Sequence, residues 1–221
     1  MQPFAAAAAD PEATLDRLAL ALACELRPET DVDGALARLD ELAGELGVAL
    51  EGVGDPPDAE AQATACALLL GRVHGFSGDR EQYDRPENSM LDVVLQRRRG
   101  LPILLSAVYT EVARRAGVPL AGIGLPGHYV VGHFGAEPPI LLDPFDRGAM
   151  YVADAPAVLL RPWRPHETAM RMLNNLVLAY ERRGDLGRQL RAAQLRLDLP
   201  SETAVRETLE GELKAILARL N

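Results

Sequence analysis

The stretch from Arg97 to Asp143 constrains this chain more than any other part of it. Gly100-Leu101-Pro102 opens an apolar run in which Leu105, Val108, Tyr109, Val112 and Ala116 recur at helical spacing. Gly117-Val118-Pro119 then stops it. Three short runs rich in Val, Ile and Leu follow, Leu120 to Leu125, His128 to Phe134 and Ile140 to Asp143, with turn residues at Pro126-Gly127 and between Gly135 and Pro139. Short consecutive strands joined by tight turns pair as an antiparallel meander, and the helix before them has to cover one face of it. The expectation is an α+β core, a helix on a small antiparallel sheet.

Composition places this core in a globular protein. Of the 221 residues 48% are hydrophobic and 25% charged, which does not describe a disordered chain. A net charge of -9 argues against a nucleic-acid or anionic-membrane partner held by bulk charge. The two cysteines, Cys24 and Cys66, make no disulfide framework and no C-x-x-C pair, and both fall in apolar helical patterns, where a buried structural thiol is the plain assignment. The start MQPFAAAAAD has no basic region before its alanines, and no apolar run reaches the ~18 residues of a membrane span, so a cytoplasmic protein is expected.

The chain divides into three segments. Residues 1–74 read as a helical region, with a frayed tail to residue 10. A helix is expected to open at Asp10-Pro11-Glu12 and carry Leu15, Leu18, Leu22 and Leu26. Another starts near Asp31 to Asp33, and a third runs from about Asp58 to His74. Residues 75–165 hold the α+β core. Within them GFSGDREQYDRPENS is a polar, turn-rich stretch, Ser89 and Asp92 resemble a capping box, and Gly100 fits just past the end of the short helix that follows. Residues 166–221 are all helical, and LAYERRGDLGRQLRAAQLRLDLP has the Tyr, Gly-Asp turn and closing Pro of a tetratricopeptide-like hairpin.

His128 and Asp143 are the sharpest candidates for chemistry. An Asp on a neighbouring strand can hold an imidazole tautomer and steady its charged form; a histidine simply hydrogen-bonded in a half-buried sheet explains the same pair. A partner nucleophile would belong at a helix N-terminus, where free amides and the dipole favour a thiolate. Leu101, Pro102 and Ile103 stand there, and Ser106 lies a turn further in, on the core side. No metal site is expected, because His128 and His133 are five apart in one strand and point to opposite faces; no cofactor is expected either. Tyr83, Asn88 and Arg98 are candidate cleft residues. Arg97-Arg98-Arg99 with Arg114-Arg115 is the densest positive cluster, read as helix C-terminal complements of the dipole or as an anion or acidic-peptide site.

The run YDRPENSMLDVVLQRRRGLPILLSAVYTEVARRAGVPLAGIGLPGHYVV, with ILLDPF and Gly148 after it, resembles the SirB-type transglutaminase-like family, described as regulators of sirC expression with transglutaminase-like and tetratricopeptide parts. The resemblance is strong over about residues 75–150 and looser over the N-terminal helices and MLNNLVLAYERRGDLGRQL. It implies a papain-like core flanked by N-terminal helices and a C-terminal tetratricopeptide-like hairpin. It also implies that the superfamily's His and Asp fall on His128 and Asp143, while the catalytic Cys position falls on Pro102, as it does in SirB-type relatives. The implied protein is a non-enzymatic binding or regulatory module with a vestigial His-Asp cleft and an unidentified protein or peptide partner. Alternatives are a residual hydrolase or acyl transferase using His128 and Asp143, and an adaptor acting through its C-terminal helices.

Overall fold

A computed structural model describes residues 3–54 and 56–220, without the Leu220 side chain. Its N-terminal part is helical: α1 (Phe4–Ala8), α2 (Leu15–Leu26), α3 (Val32–Glu51) and α4 (Ala59–Cys66), the last running into a π-helical segment, Ala67–Val73. Two helix starts follow from side-chain caps, Asp31 accepting from Gly34 N for α3 and Asp58 from Ala61 N for α4. Two expectations fail here. From residue 3 onward the expected frayed tail is ordered, since Phe4 is fully buried and its N–H reaches Glu25 Oε1; residues 1–2 lie outside the described residues. The second helix opens after Thr14, not at Asp10, because Asp10 is spent on a turn and accepts from Glu12 N.

The next segment is short and irregular. β1 (Ser77–Gly78) pairs in parallel with β2 (Arg99–Gly100), and α5 (Leu91–Arg97) lies between them. The expected capping box at Ser89 does not form: Met90 is the cap residue, no side chain caps the helix, and Ser89 is buried in a 3-10 turn, Pro86–Ser89. The left-handed residue that ends α5 is Arg98 (φ 57°), which leaves Gly100 free to serve in β2. A Cβ at Gly100 would press on Val94, so the glycine answers a close approach instead of a helix end.

α6 (Pro102–Arg115) is the central helix, with Pro102 at its first position and Gly117 (φ 74°) beyond its end. It packs on β3 (Leu120–Leu125) and β4 (His128–His133), the first two strands of a sheet continued by β5 (Ile140–Asp143) and β6 (Ala149–Met150). The order is β3-β4-β5-β6, all antiparallel, with Val131 opposite Leu142 and Ile123 opposite Val130. Strand alternation sorts the two faces. Tyr129, Val131 and Leu142 join the main core with α6, while Ile123, Leu125, Val130 and Leu141 form a smaller cluster on the other face beside Tyr151 and Leu160.

The chain ends in α7 (Pro165–Arg182), α8 (Leu186–Leu195) and α9 (Thr203–Leu217), with α7 and α8 forming a helical hairpin. α2 packs on both α7 and α8, and one apolar cluster extends from Phe4 to Ile216. That larger cluster therefore draws on all three segments read from the sequence. No helix among the described residues is long and apolar enough to cross a membrane.

Candidate functional site

His128 opens β4 and Asp143 closes β5, so the antiparallel pairing carries both to one end of the sheet. Their rings and carboxyls meet: His128 Nε2 lies 2.9 Å from Asp143 Oδ2. The other carboxylate oxygen accepts from Phe145 N at 2.9 Å, which makes Asp143 the cap of the 3-10 turn Pro144–Asp146 and fixes its rotamer. A carboxylate only accepts, so the proton of the neutral imidazole belongs on Nε2, and Nδ1 is left as a base. Nδ1 has no hydrogen-bond partner among the described residues. His128 shares the strand parity of Val130, and Asp143 that of Leu141. Both side chains therefore rise from the face opposite to the one that α6 covers. The position of the imidazole 5.5 Å from the Tyr151 ring agrees with that face.

The remaining candidates are placed as follows. Pro102 is buried at the first position of α6. Ser106 is fully buried, and its hydroxyl has no partner among the described residues. Burial pushes the Cys66 thiol up to about 12, and burial followed by the nearby Asp92 and Glu25 carboxylates raises that of Cys24. Thiolates are scarce at both positions. Tyr83 does reach the neighbourhood, its ring 6.0 Å from that of Phe145, edge to face. Asn88 does not: it is buried and spent on Gln82 O at 2.7 Å and on the Arg97 guanidinium at 3.3 Å. Arg98 turns away to donate to His74 O at 3.2 Å.

His133 points to the other face, as its parity requires, and meets Gln62 Oε1 at 2.7 Å; burial lowers its pKa. No group of three potential metal ligands occurs among the described residues. The basic cluster divides in two. Arg114 and Arg115 join Asp16, Asp40 and Glu111 in an ion network beneath α2 and α3, while Arg97 to Arg99 lie beside β1.

One residue near the pair gave no local signal. Arg171, on α7, donates to Leu125 O at 3.0 Å and His128 O at 2.9 Å, closing both ends of the β3–β4 turn. Its guanidinium lies 5.5 Å from the centre of the Tyr129 ring and 5.7 Å from that of Trp163, and desolvation lowers its pKa. Only the tertiary fold brings it there, from 43 residues away.

This architecture is that of a transglutaminase-like domain: the family model described as the transglutaminase-like superfamily matches residues 33–178. The chain belongs to that superfamily. It is similar to UPF0162 proteins, 36% identical over 129 residues to that of Vibrio cholerae serotype O1 (58% of this chain, 47% of the relative) and 36% identical over 145 residues to that of Pseudomonas aeruginosa (65% and 51%). A shorter stretch of 71 residues is 38% identical to F-box only protein 21 of Mus musculus, covering 32% of this chain and 11% of that protein. The chain spans about half the length of the first of these UPF0162 relatives. No solved structure matches it.

Proposed function

We propose that this chain is a binding or regulatory module built on a transglutaminase-like domain, with His128 and Asp143 as a vestigial dyad. One observation carries the reading. The first position of α6, where a thiol would gain from the helix dipole and free amides, is occupied by Pro102, which offers neither a nucleophile nor an N–H. The nearest hydroxyl on the same helix, Ser106, is buried out of reach. The SirB-type regulatory role, the tetratricopeptide character of the α7–α8 hairpin and a peptide partner belong to this proposal.

The second reading, residual hydrolysis of an amide or ester, is favoured by the unpartnered Nδ1 of an imidazole held by a carboxylate. One experiment separates the two. Hydrolysis of an activated ester and amine transfer to a glutamine peptide are measured for the chain and for His128→Ala and Asp143→Asn. The binding-module reading expects the same background rate from all three. Turnover that disappears in His128→Ala overturns it.

A further inference from the structure

We infer that the arginine-lined cleft beside β1 is a binding site for a small organic polyanion, a molecule carrying two or more phosphate or carboxylate groups. The cleft holds about 700 Å³ and draws Arg72, Arg80, Arg85, Arg97, Arg99 and Arg147 from four separate stretches of the chain. Three carboxylates share the lining, Asp79, Glu81 and Asp146, so the cleft keeps a local surplus of three positive charges on a protein whose net charge is -9.

The arginines differ in how far the fold already uses them. Arg97 is held by Asp79 at 3.2 Å and by Asn88. Asp79 is buried, which pushes its carboxyl up. Hydrogen bonds from Gln82 N and Asn88, with the charge and hydrogen bond of Arg97, outweigh that and bring it below its ordinary value. Arg85 pairs with Glu87 at 3.2 Å. Arg80 is only 3.7 Å from Asp146 with both side chains exposed, a contact of little energy. Arg72, Arg99 and Arg147 have no carboxylate partner among the described residues; Arg99 donates only to the carbonyls of Gly75 and Arg98. Gathering unpaired guanidinium groups costs electrostatic energy that a bound anion repays, and their planar forks match phosphate and carboxylate oxygens.

The backbone is shaped to bring these groups together. Arg147 is a non-glycine residue in the left-handed region (φ 55°), a conformation that costs of order 1 kcal/mol. Its carbonyl packs against Gly71, where any Cβ would collide, and Gly71 lies in the π-helical segment next to Arg72. Gly78 likewise accepts the Phe145 ring where no side chain would fit. Two missing Cβ atoms thus let the turn after Asp143 close onto the helix end and β1, so that Arg72 and Arg147 line the same cleft. The size exceeds what a lone inorganic ion needs and lies in the range of organic ligands.

This inference stands apart from the reading of His128, because the lining of the cleft ends at Phe145 and Ser77 without touching the dyad. The test is calorimetric titration at low ionic strength with inorganic tripolyphosphate and with citrate, which distinguish phosphate from carboxylate chemistry, and with a short polyglutamate peptide. The expected result is binding of at least one small probe. It weakens roughly tenfold or more when Arg72→Gln is combined with Arg147→Asn, and it is unchanged in Arg206→Gln. Asn tolerates the left-handed backbone, and unchanged melting temperatures confirm that the variants fold. Absence of binding by both small probes, equal affinity in the double variant, or binding of the peptide alone overturns the proposal.

Discussion

The two ends of α6 are built on opposite principles. Its C-terminal half carries Glu111, Arg114 and Arg115, and each is paired: Glu111 with both arginines at 2.8 Å, Arg115 also with Asp16 on α2 and with Asp40 on α3 at 2.8 Å. Its first turns are apolar, from Leu101 through Leu105. The polar atoms that follow, Ser106 Oγ, Tyr109 OH and Thr110 Oγ1, are buried with no partner among the described residues. A catalytic helix start would place its polar groups in contact with one another and with substrate. Here the contacts between polar groups are all at the other end, where they hold three helices together.

The largest effect is expected where the charges are buried. Replacing Asp16 by Ala takes from Arg115 one of its two buried counter-charges, Glu111 being the other, and should remove about 3 kcal/mol of stability in urea or guanidinium titrations. A loss below about 1 kcal/mol would make the two ends of α6 energetically alike and break the comparison.

Acid should expose the same network. Burial raises the Asp16 carboxyl, but hydrogen bonds from Thr14 and Arg115 and the Arg115 charge hold it below its ordinary 3.8. The folded state binds the proton less readily than the unfolded chain, so this contribution is complete above about pH 4 and fades as pH falls through the lower folded value. Asp16→Asn should flatten that part of a stability-against-pH curve; an unchanged acid limb would assign it to other carboxylates.

A middling effect is expected where the π-helical segment packs against Tyr109, at the centre of α6. A Cβ at Gly71 collides with the Arg147 carbonyl and comes within 2.9 Å of Tyr109 OH, so Gly71→Ala should cost about 1–3 kcal/mol by thermal or chemical denaturation. The smallest belongs to the empty end. Ser106→Ala removes a buried hydroxyl that has no partner, and should be neutral or stabilising by up to about 1 kcal/mol. A clear destabilisation would mean that this hydroxyl is satisfied in solution.

Much of this was legible where a signal is local. α6 and the three longer strands are bounded by Gly and Pro and filled by periodic apolar residues, and the spacing of His128 and Asp143 on successive strands sets their approach. What escaped depended on partners distant in sequence. The N-terminal alanines look featureless, yet Phe4 docks into the core through contacts that only the folded helices create. β1 and β2 are two residues each, too short for any alternation to show, and their pairing displaces the helix end from Gly100 to Arg98. The run Arg97 to Arg99 was visible, but its convergence with Arg72, Arg80 and Arg147 rests on close backbone approaches at Gly71 and Gly78. Asn88 and Arg98 looked like cleft residues because polar side chains in a loop give no hint of whether the loop itself will consume them.

The packing of α2 against α7 and α8 carries a consequence for how the chain is made. During synthesis, α2 leaves the ribosome well before the residues that will cover it. At ~5–20 residues per second, the interval from Leu26 to the start of α7 amounts to roughly 7–28 s. Through that time the leucines of α2 have only their early neighbours for company. α1, α5 and α6 can cover part of α2 first, and a nascent chain stalled before Pro165 should be the form most dependent on chaperones.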